Sequence, residues 1–301
     1  VTLPGHDPNS EVFVMGNDVP VLGTILSESE PWLFRSAIPL QPNIRYILKS
    51  GSSNYPFSIK SGKSPTPSIV GIYPAVDTIP ENILKIYLEF SEPMQSINSY
   101  QYIQMKDQDG NDIRPFLELQ PGLWNYDNTI LTLWLDPGRI KTDLLRNKKL
   151  GQPLDSGKLY TIHVSQEWPS QAGMSLDDGL TNMYFVSGPI RDAVNLESWT
   201  LTIPRQGTKN PVSIAFDRAM DHELIKTCFS TSHPGLFAPI DRDRGIAFFP
   251  LKEWSNSTFE INILPKLEDL AGNNLICPFD RDLLYDSLQN NPKTEIKIQI
   301  D

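Results

Sequence analysis

Cysteine and histidine are scarce in this chain of 301 residues, with 2 and 4 copies respectively. The two cysteines, Cys228 and Cys277, form neither a CxxC redox pair nor a zinc site, which needs more ligands at closer spacing. Four histidines give little from which to build a catalytic triad, and no GxSxG elbow is present. Basic side chains are outnumbered, 26 Lys and Arg against 36 Asp and Glu, for a formal net charge of −10. Nucleic-acid affinity comes largely from neutralising phosphates with Lys and Arg, so no nucleic-acid partner is expected. No run approaches the roughly 20 apolar residues that a membrane-spanning helix needs, so no transmembrane segment is expected either. No signal segment is visible from Val1-Thr2-Leu3-Pro4 onward, and a cleaved one would lie upstream.

Proline and glycine, by contrast, are plentiful at 26 and 18 and spread through the whole chain. Without a long helical period, they describe many short strands joined by turns, which is all-β punctuation. A hydrophobic content of 39% supports packed cores. The chain also repeats itself. Leu88-Glu89-Phe90-Ser91-Glu92-Pro93-Met94 returns as Ile214-Ala215-Phe216-Asp217-Arg218-Ala219-Met220, and Tyr160-Thr161-Ile162-His163-Val164 answers to Phe259-Glu260-Ile261-Asn262-Ile263. The second pair lies closer together than the first, so the first copy carries an insertion, placed in the 136–157 region where Pro137-Gly138 and a run of Arg and Lys interrupt the strand pattern. A fragment of a third copy, Pro39-Leu40-Gln41-Pro42-Asn43-Ile44-Arg45-Tyr46, matches Pro153 to Tyr160.

Strand patterns follow the same division. Leu84, Ile86, Leu88 and Phe90 alternate with polar partners apart from Tyr87, and period two marks a half-buried strand. Residues 129–135, 158–164 and 183–186 behave alike, as do 200–204, 212–216, 246–249 and 259–263. Alternation at 295–300 is the cleanest in the chain, so that terminus is expected to dock on a sheet. A single helical turn is expected at 221–226. Ser61-Gly62-Lys63-Ser64-Pro65-Thr66-Pro67 reads as a linker. The expected division is a smaller β module at 1–64, a sandwich with an inserted loop at 65–188 and a second sandwich at 189–301. Each full copy has about seven strands, the size of immunoglobulin-like packing.

Phe-Ser-Glu-Pro-Met at 90–94, Leu-Asp-Pro-Gly-Arg-Ile-Lys at 135–141, Leu-Gly-Gln-Pro-Leu-Asp-Ser-Gly-Lys-Leu-Tyr at 150–160 and Asp269-Leu270-Ala271-Gly272-Asn273 together resemble tandem bacterial Ig-like domains of surface-layer and other cell-envelope proteins. The resemblance covers most of 65–301 and more weakly the N-terminal fragment. It implies an extracytoplasmic location, whether periplasmic, cell-surface or secreted, and a role as spacer, stalk or accessory module. The middle copy has Ser170-Gln171-Ala172-Gly173-Met174 where the last has Asp269 to Asn273, so a role for Asp269 does not extend to both copies. Capping a turn is its simplest role.

Several motifs fall short of a chemistry. His222-Glu223-Leu224-Ile225-Lys226 begins like a zinc-protease helix, but the fifth position must be a second His. Gly62-Lys63-Ser64 lacks the earlier Gly and the strand-to-helix frame of a phosphate loop. His163 points to solvent on alternation alone. Asp107, Asp109 and Asp112 offer oxygen ligands at alternate spacing around Gly110, as a calcium loop begins, yet no closing Glu follows and Asp-Gly is also a hairpin turn. Asp177, Asp178, Asp241 and Asp243 are likewise read as turn residues. Of six tryptophans, Trp134, Trp199 and Trp254 read as core or rim packing, while Trp32, Trp124 and Trp168 flank turns and are the candidates for exposed sugar-stacking faces. For Cys228 and Cys277 two states stay open, a bridge suited to an exported protein and a reduced, buried pair, of which the second is favoured. The basic cluster Arg139, Lys141, Arg146, Lys148 and Lys149 reads as a solvated loop, and the segment 139–151 is expected on the surface as a long loop or short helix.

The expected function is therefore a non-catalytic cell-envelope or secreted structural or interaction protein, with an unknown protein or a cell-surface glycan as partner. The alternative is a carbohydrate-binding accessory module that uses exposed Trp residues. No cofactor is expected, calcium at the Asp107 loop being the one candidate.

Overall fold

The computed structural model of the chain describes residues 2–3, 12–16, 19–26, 32–36, 40, 45–50, 53–59, 65–142, 144–280 and 292–300. Two compact units result, Val1–Thr66 with Gln171–Met174, and Pro67–Ser170 with Ser175–Asp301. The first unit contains β1 (Thr2–Leu3), β2 (Val12–Gly16), β3 (Val19–Val21), β4 (Gly23–Leu26), β5 (Trp32–Ser36), β6 (Arg45–Ser50) and β7 (Ser53–Ser58). They make a three-stranded sheet, β1-β5-β4, and a four-stranded one, β3-β2-β6-β7. Val14, Tyr46 and Leu48 form its small core. Pro20 and Pro56 sit on the edge strands β3 and β7, where a missing N–H removes no ladder bond.

The second unit begins with β8 (Ile69–Tyr73), β9 (Thr78–Pro80), β10 (Lys85–Phe90), β11 (Ile103–Asp107), β12 (Asp112–Ile113), β13 (Leu123–Trp124), β14 (Ile130–Trp134), β15 (Leu159–Val164) and β16 (Leu180–Ser187). Sheets β13-β14-β10-β8 and β12-β11-β15-β16-β9 face each other. Ile86, Leu88 and Phe90 point inward from one sheet and Ile162, Val164, Tyr184 and Val186 from the other, all into one core. Pairing is antiparallel except where β9 joins β16 in parallel. The alternation read from the sequence is therefore the inward face of a sandwich, as period two requires.

The remainder holds β17 (Thr200–Thr202), β18 (Val212–Ala215), β19 (Phe229–Ser230), β20 (Gly235–Ile240), β21 (Gly245–Pro250), β22 (Ser257–Ile263) and β23 (Glu295–Ile300). Its sheets are β17-β18-β21-β20 and β19-β22-β23. β18 lies between β17 and β21 as β10 lies between β8 and β14. Two isolated bridges show the same parallel, Met94 with Ser170 and Met220 with Asp269. Ile214 and Phe216 are buried in this second core, and β23 docks against β22 as its alternation required. The chain is thus all-β, built from antiparallel sandwiches. Among the described residues no helix is long and apolar enough to cross a membrane.

Among the described residues the unit also holds the short α-helices α1 (Pro137–Ile140), α2 (Leu145–Leu150) and α3 (His222–Cys228). The turn expected at 221–226 is α3. The first two occupy the basic insertion, expected at the surface as a long loop or short helix, and α2 is largely exposed. Asp136 caps α1 through the Gly138 N–H at 3.0 Å, and Ile140 is buried in the first core. Arg139 donates to the carbonyls of Gly151 at 3.1 Å and Gln152 at 2.6 Å, and Arg146 pairs with Asp136 at 2.8 Å. The Arg139 guanidinium thus satisfies turn carbonyls that the insertion leaves open.

Ile86→Ala and Ile214→Ala are each expected to lower unfolding free energy by about 2–5 kcal/mol. Outward-facing Gln104→Ala should change it by less than about 0.5 kcal/mol. Urea unfolding of the three variants checks this ordering.

Candidate functional site

Tyr87 breaks the alternation of β10, and the structure shows why. The outer face of β10, carrying Lys85, Tyr87 and Glu89, is covered by residues from the second sandwich, so Tyr87 is buried although it points away from its own core. At the centre lies Asp221, only 4% exposed. Its Oδ1 caps α3, accepting the N–H groups of Glu223 at 3.1 Å and Leu224 at 3.0 Å. Its Oδ2 accepts the Tyr87 hydroxyl at 2.7 Å and Lys85 Nζ at 3.0 Å. Lys85 reaches Glu268 as well, at 2.7 Å. One carboxylate thus ends a helix in one sandwich and binds two side chains of the other. Burial, then the Asp221 carboxylate, push the Tyr87 hydroxyl far above the usual tyrosine range, so it stays a donor. For Lys85, burial lowers the ammonium pKa but Asp221 and Glu268 outweigh it, and the net shift is upward.

A second cluster flanks this one. Tyr73 of β8 stacks on His222 of α3 with ring centroids 3.4 Å apart and planes 12° from parallel. His222 Nδ1 lies 2.8 Å from Asp243 Oδ1. His222 Nε2 and Asp243 Oδ2 are buried, and among the described residues neither has a hydrogen-bond partner. Burial and the nearby Glu89 raise the Tyr73 pKa. Asp243 ends a run of three left-handed residues, Asp241 (φ 51°), Arg242 (φ 53°) and Asp243 (φ 66°), in the β20–β21 hairpin. Asp tolerates this region but Arg does not, at roughly 1–2 kcal/mol per residue. The run is held by Met220 N–H on the Asp243 carbonyl at 2.9 Å and by Arg242 on Asp77, across the sandwiches, at 2.8 Å. A cleft of about 340 Å³ opens beside Tyr73, His222 and Lys226.

Apolar packing closes the other side. Leu84 N–H donates to the Leu270 carbonyl at 2.9 Å, and Leu270 and Ala219 belong to the core of the first sandwich. Gly272 has φ +79°, and a Cβ there would run into the Leu84 side chain. Asn82 exchanges both its amide groups with the Ile190 backbone, at 2.8 and 3.0 Å. The Asp269-to-Asn273 turn is capped by Asp269 as the sequence indicated, through Ala271 N–H at 2.9 Å and Asn273 N–H at 3.0 Å. Burial raises the Asp269 pKa against these hydrogen bonds and Arg218. The same turn presses Leu270 and Gly272 onto the neighbouring sandwich, a role the local pattern does not reveal.

The residues singled out from the sequence are dispersed. Asp107 accepts the N–H groups of Asp109 and Asn111, each at 2.9 Å, and the Asn111 amide at 3.0 Å, and these bonds lower its pKa. Asp112 pairs with Lys106 at 2.9 Å. The loop is the hairpin turn between β11 and β12. Asp107, Asp109 and Asp112 do not converge, and no group of three or more His, Cys, Asp or Glu is placed to hold a metal among the described residues. Trp168 corrects its reading as an exposed face: it is 0% exposed, stacked on Tyr102 at 5.3 Å and bonded through Nε1 to the Gln95 carbonyl at 3.1 Å. The turn that flanks it folds back over the open end of the sandwich. Trp124 is half-buried against Phe90 and Trp168, with Nε1 on Ser99 Oγ at 3.1 Å. The Trp32 side chain lies outside the described residues. Cys228 is buried, Cys277 half-buried, and both are free.

The described sheets define a tandem all-β sandwich protein. No known family matches the chain, and no curated protein does. Among solved structures, native alpha-2-macroglobulin from Escherichia coli spanning domains MG0-NIE-MG1 is similar at 8% identity over 79% of this chain and 72% of that one, with a TM-score of 0.28. The full native conformation of the same protein gives the same score over 18% of its length. The Bacteroides ovatus mixed-linkage glucan utilization locus protein SGBP-B, in complex with a mixed-linkage heptasaccharide, is similar at 12% identity over 100% of this chain and 63% of that one, with a TM-score of 0.21. At these scores the likenesses carry no functional argument, and the fold rests on the chain's own sheets.

Lys85→Met removes the cation between Asp221 and Glu268. The expected cost is about 2–3 kcal/mol, the scale of a charge-assisted bond lost next to a buried carboxylate. Calorimetry should also show the single transition of the two sandwiches splitting in two. Unchanged stability with one transition would contradict the role assigned to Asp221.

Proposed function

We propose that this chain is a non-catalytic structural and interaction protein of the bacterial envelope or extracellular space, built from tandem Ig-like sandwiches preceded by a smaller module, with divisions at 1–64, 65–188 and 189–301. The observation that carries this reading is the buried joint around Asp221. A hinge between sandwiches would be lined by solvated, interchangeable side chains, whereas here a capping carboxylate, a tyrosine, a lysine and a stacked Tyr73–His222 pair fix one orientation. Such a joint turns two sandwiches into one stiff element that holds a position or presents a surface. The matching sheet orders and the paired bridges Met94–Ser170 and Met220–Asp269 support descent of the two halves from one repeated unit. Its partner is a protein or a cell-surface glycan. The His222–Asp243 pair belongs to the joint in this reading, because Nε2, the atom a general base would use, is buried.

Fractionation of the native bacterium tests the assignment. The protein is expected in the envelope fraction or the medium, and to be degraded by protease added to intact or outer-membrane-permeabilised cells. Recovery in the cytosolic fraction, protected from protease, would overturn it.

A further inference from the structure

The first sandwich carries an open groove of about 440 Å³ on the side of β11 and β12, within the roughly 300–1,000 Å³ of small-ligand sites. Its construction follows from the chain. A 3-10 turn over Ser99–Tyr102 leads into β11, and the strand sends Ile103 and Met105 to the core and Gln104 outward. The segment after β12 then runs along the opposite wall. Tyr100, Ile113 and Phe116, all half-buried, form the floor. The Tyr100 hydroxyl donates to the Leu117 carbonyl at 3.1 Å, which fixes its ring. Gln101, Gln104, Arg114, Glu118 and Gln120 stand on the rim, exposed.

The rim is largely unspent. Among the described residues, the side chains of Gln101, Gln104, Arg114 and Glu118 make no hydrogen bond or ion pair within the protein. Gln120 uses only its amide oxygen, on the Asn98 N–H at 3.2 Å, and keeps both amide donors. Planar amides, a guanidinium and a carboxylate each offer two polar atoms side by side. That spacing matches the adjacent hydroxyls of a pyranose, while the aromatic floor suits its C–H face. Phosphate-bearing ligands fit poorly, since the lining holds one arginine beside the carboxylates of Glu118 and Asp112, in a chain of net charge −10. Lipid fits poorly too, because the rim would lose water without gaining partners.

We propose that this groove binds a neutral oligosaccharide chain, so that the scaffold proposed above acts as a glycan-holding element through Tyr100, Gln101, Gln104 and Glu118 rather than through exposed tryptophans. The inference rests on that scaffold reading for its biological setting only. Binding by the groove depends on neither the cellular compartment nor the Asp221 joint, so the two readings fail separately.

Affinity electrophoresis of the intact chain through native gels containing, one at a time, barley β-glucan, xyloglucan, arabinoxylan, galactomannan and laminarin tests it. At least one polysaccharide is expected to retard the protein. Gln104→Ala with Glu118→Ala should weaken that binding about tenfold or more, the scale of one or two lost hydrogen bonds, with an unchanged circular dichroism spectrum. Gln101→Ala, at an equally exposed position, serves as the second variant, and Lys85→Met should leave retardation intact. Absence of retardation in all five gels would overturn the proposal, and so would retardation that the groove variants leave unchanged.

Discussion

The Asp221 carboxylate is the constraint from which the rest of the second unit is organised. Its two oxygens act in different directions. Oδ1 ends α3 by accepting two backbone N–H groups, and Oδ2 accepts Tyr87 and Lys85 from the other sandwich. Because the cap fixes the direction of α3, it also fixes where His222 stacks on Tyr73. That placement in turn requires Asp243 at the end of a left-handed run. The chain accepts backbone strain there because three separate contacts, from Met220, Asp77 and His222, hold the loop. Burying ions is costly, and an apolar joint of the same shape would be at least as stable. A polar joint offers directionality instead. Leu84 against Leu270 and Gly272 supplies apolar contact, and the charged groups allow that contact at one angle only.

How much of this was legible in the sequence depends on how local each signal is. Period two in 84–90, 212–216 and 295–300 names β10, β18 and β23 and their inward faces, because strand alternation is a property of neighbours two residues apart. The single helical turn at 221–226 and the Asp269 turn were legible for the same reason. The joint was not, since its bonds span 134 residues from Tyr87 to Asp221 and 183 from Lys85 to Glu268. Its one trace was Tyr87, the aromatic residue on the polar side of an otherwise regular strand. His222 stands out in the sequence only as the start of an incomplete metal-binding pattern, while its actual partners, Tyr73 and Asp243, arrive from β8 and from the β20–β21 hairpin.

Misreadings have equally specific causes. Trp168 follows a strand and precedes a proline, a position that reads as turn, but the closing turn of a sandwich lies over the core and needs an aromatic plug there. The basic segment at 139–149 was legible as a surface loop or short helix, but the one core residue it carries was not. Its first helix is one turn long, too short for a period to expose Ile140 as a core residue, and Arg139 spends its charge on carbonyls. The groove beside β11 was invisible because its rim is assembled from three segments whose Gln and Glu residues look like ordinary surface.

Scaffold and groove share one physical theme: buried polar groups are matched where orientation must be fixed, and polar groups are left open where a ligand is to be met. If the Asp221 joint fixes orientation, the two sandwiches of residues 67–301 move as one rigid body. Backbone residual dipolar couplings on the isotope-labelled full chain measure this. A single alignment tensor should fit the amides of β8–β16 and β17–β23 together, with the orientation set by the Asp221 joint. Two tensors of different magnitude would contradict it, because they would mean that the sandwiches reorient independently in solution.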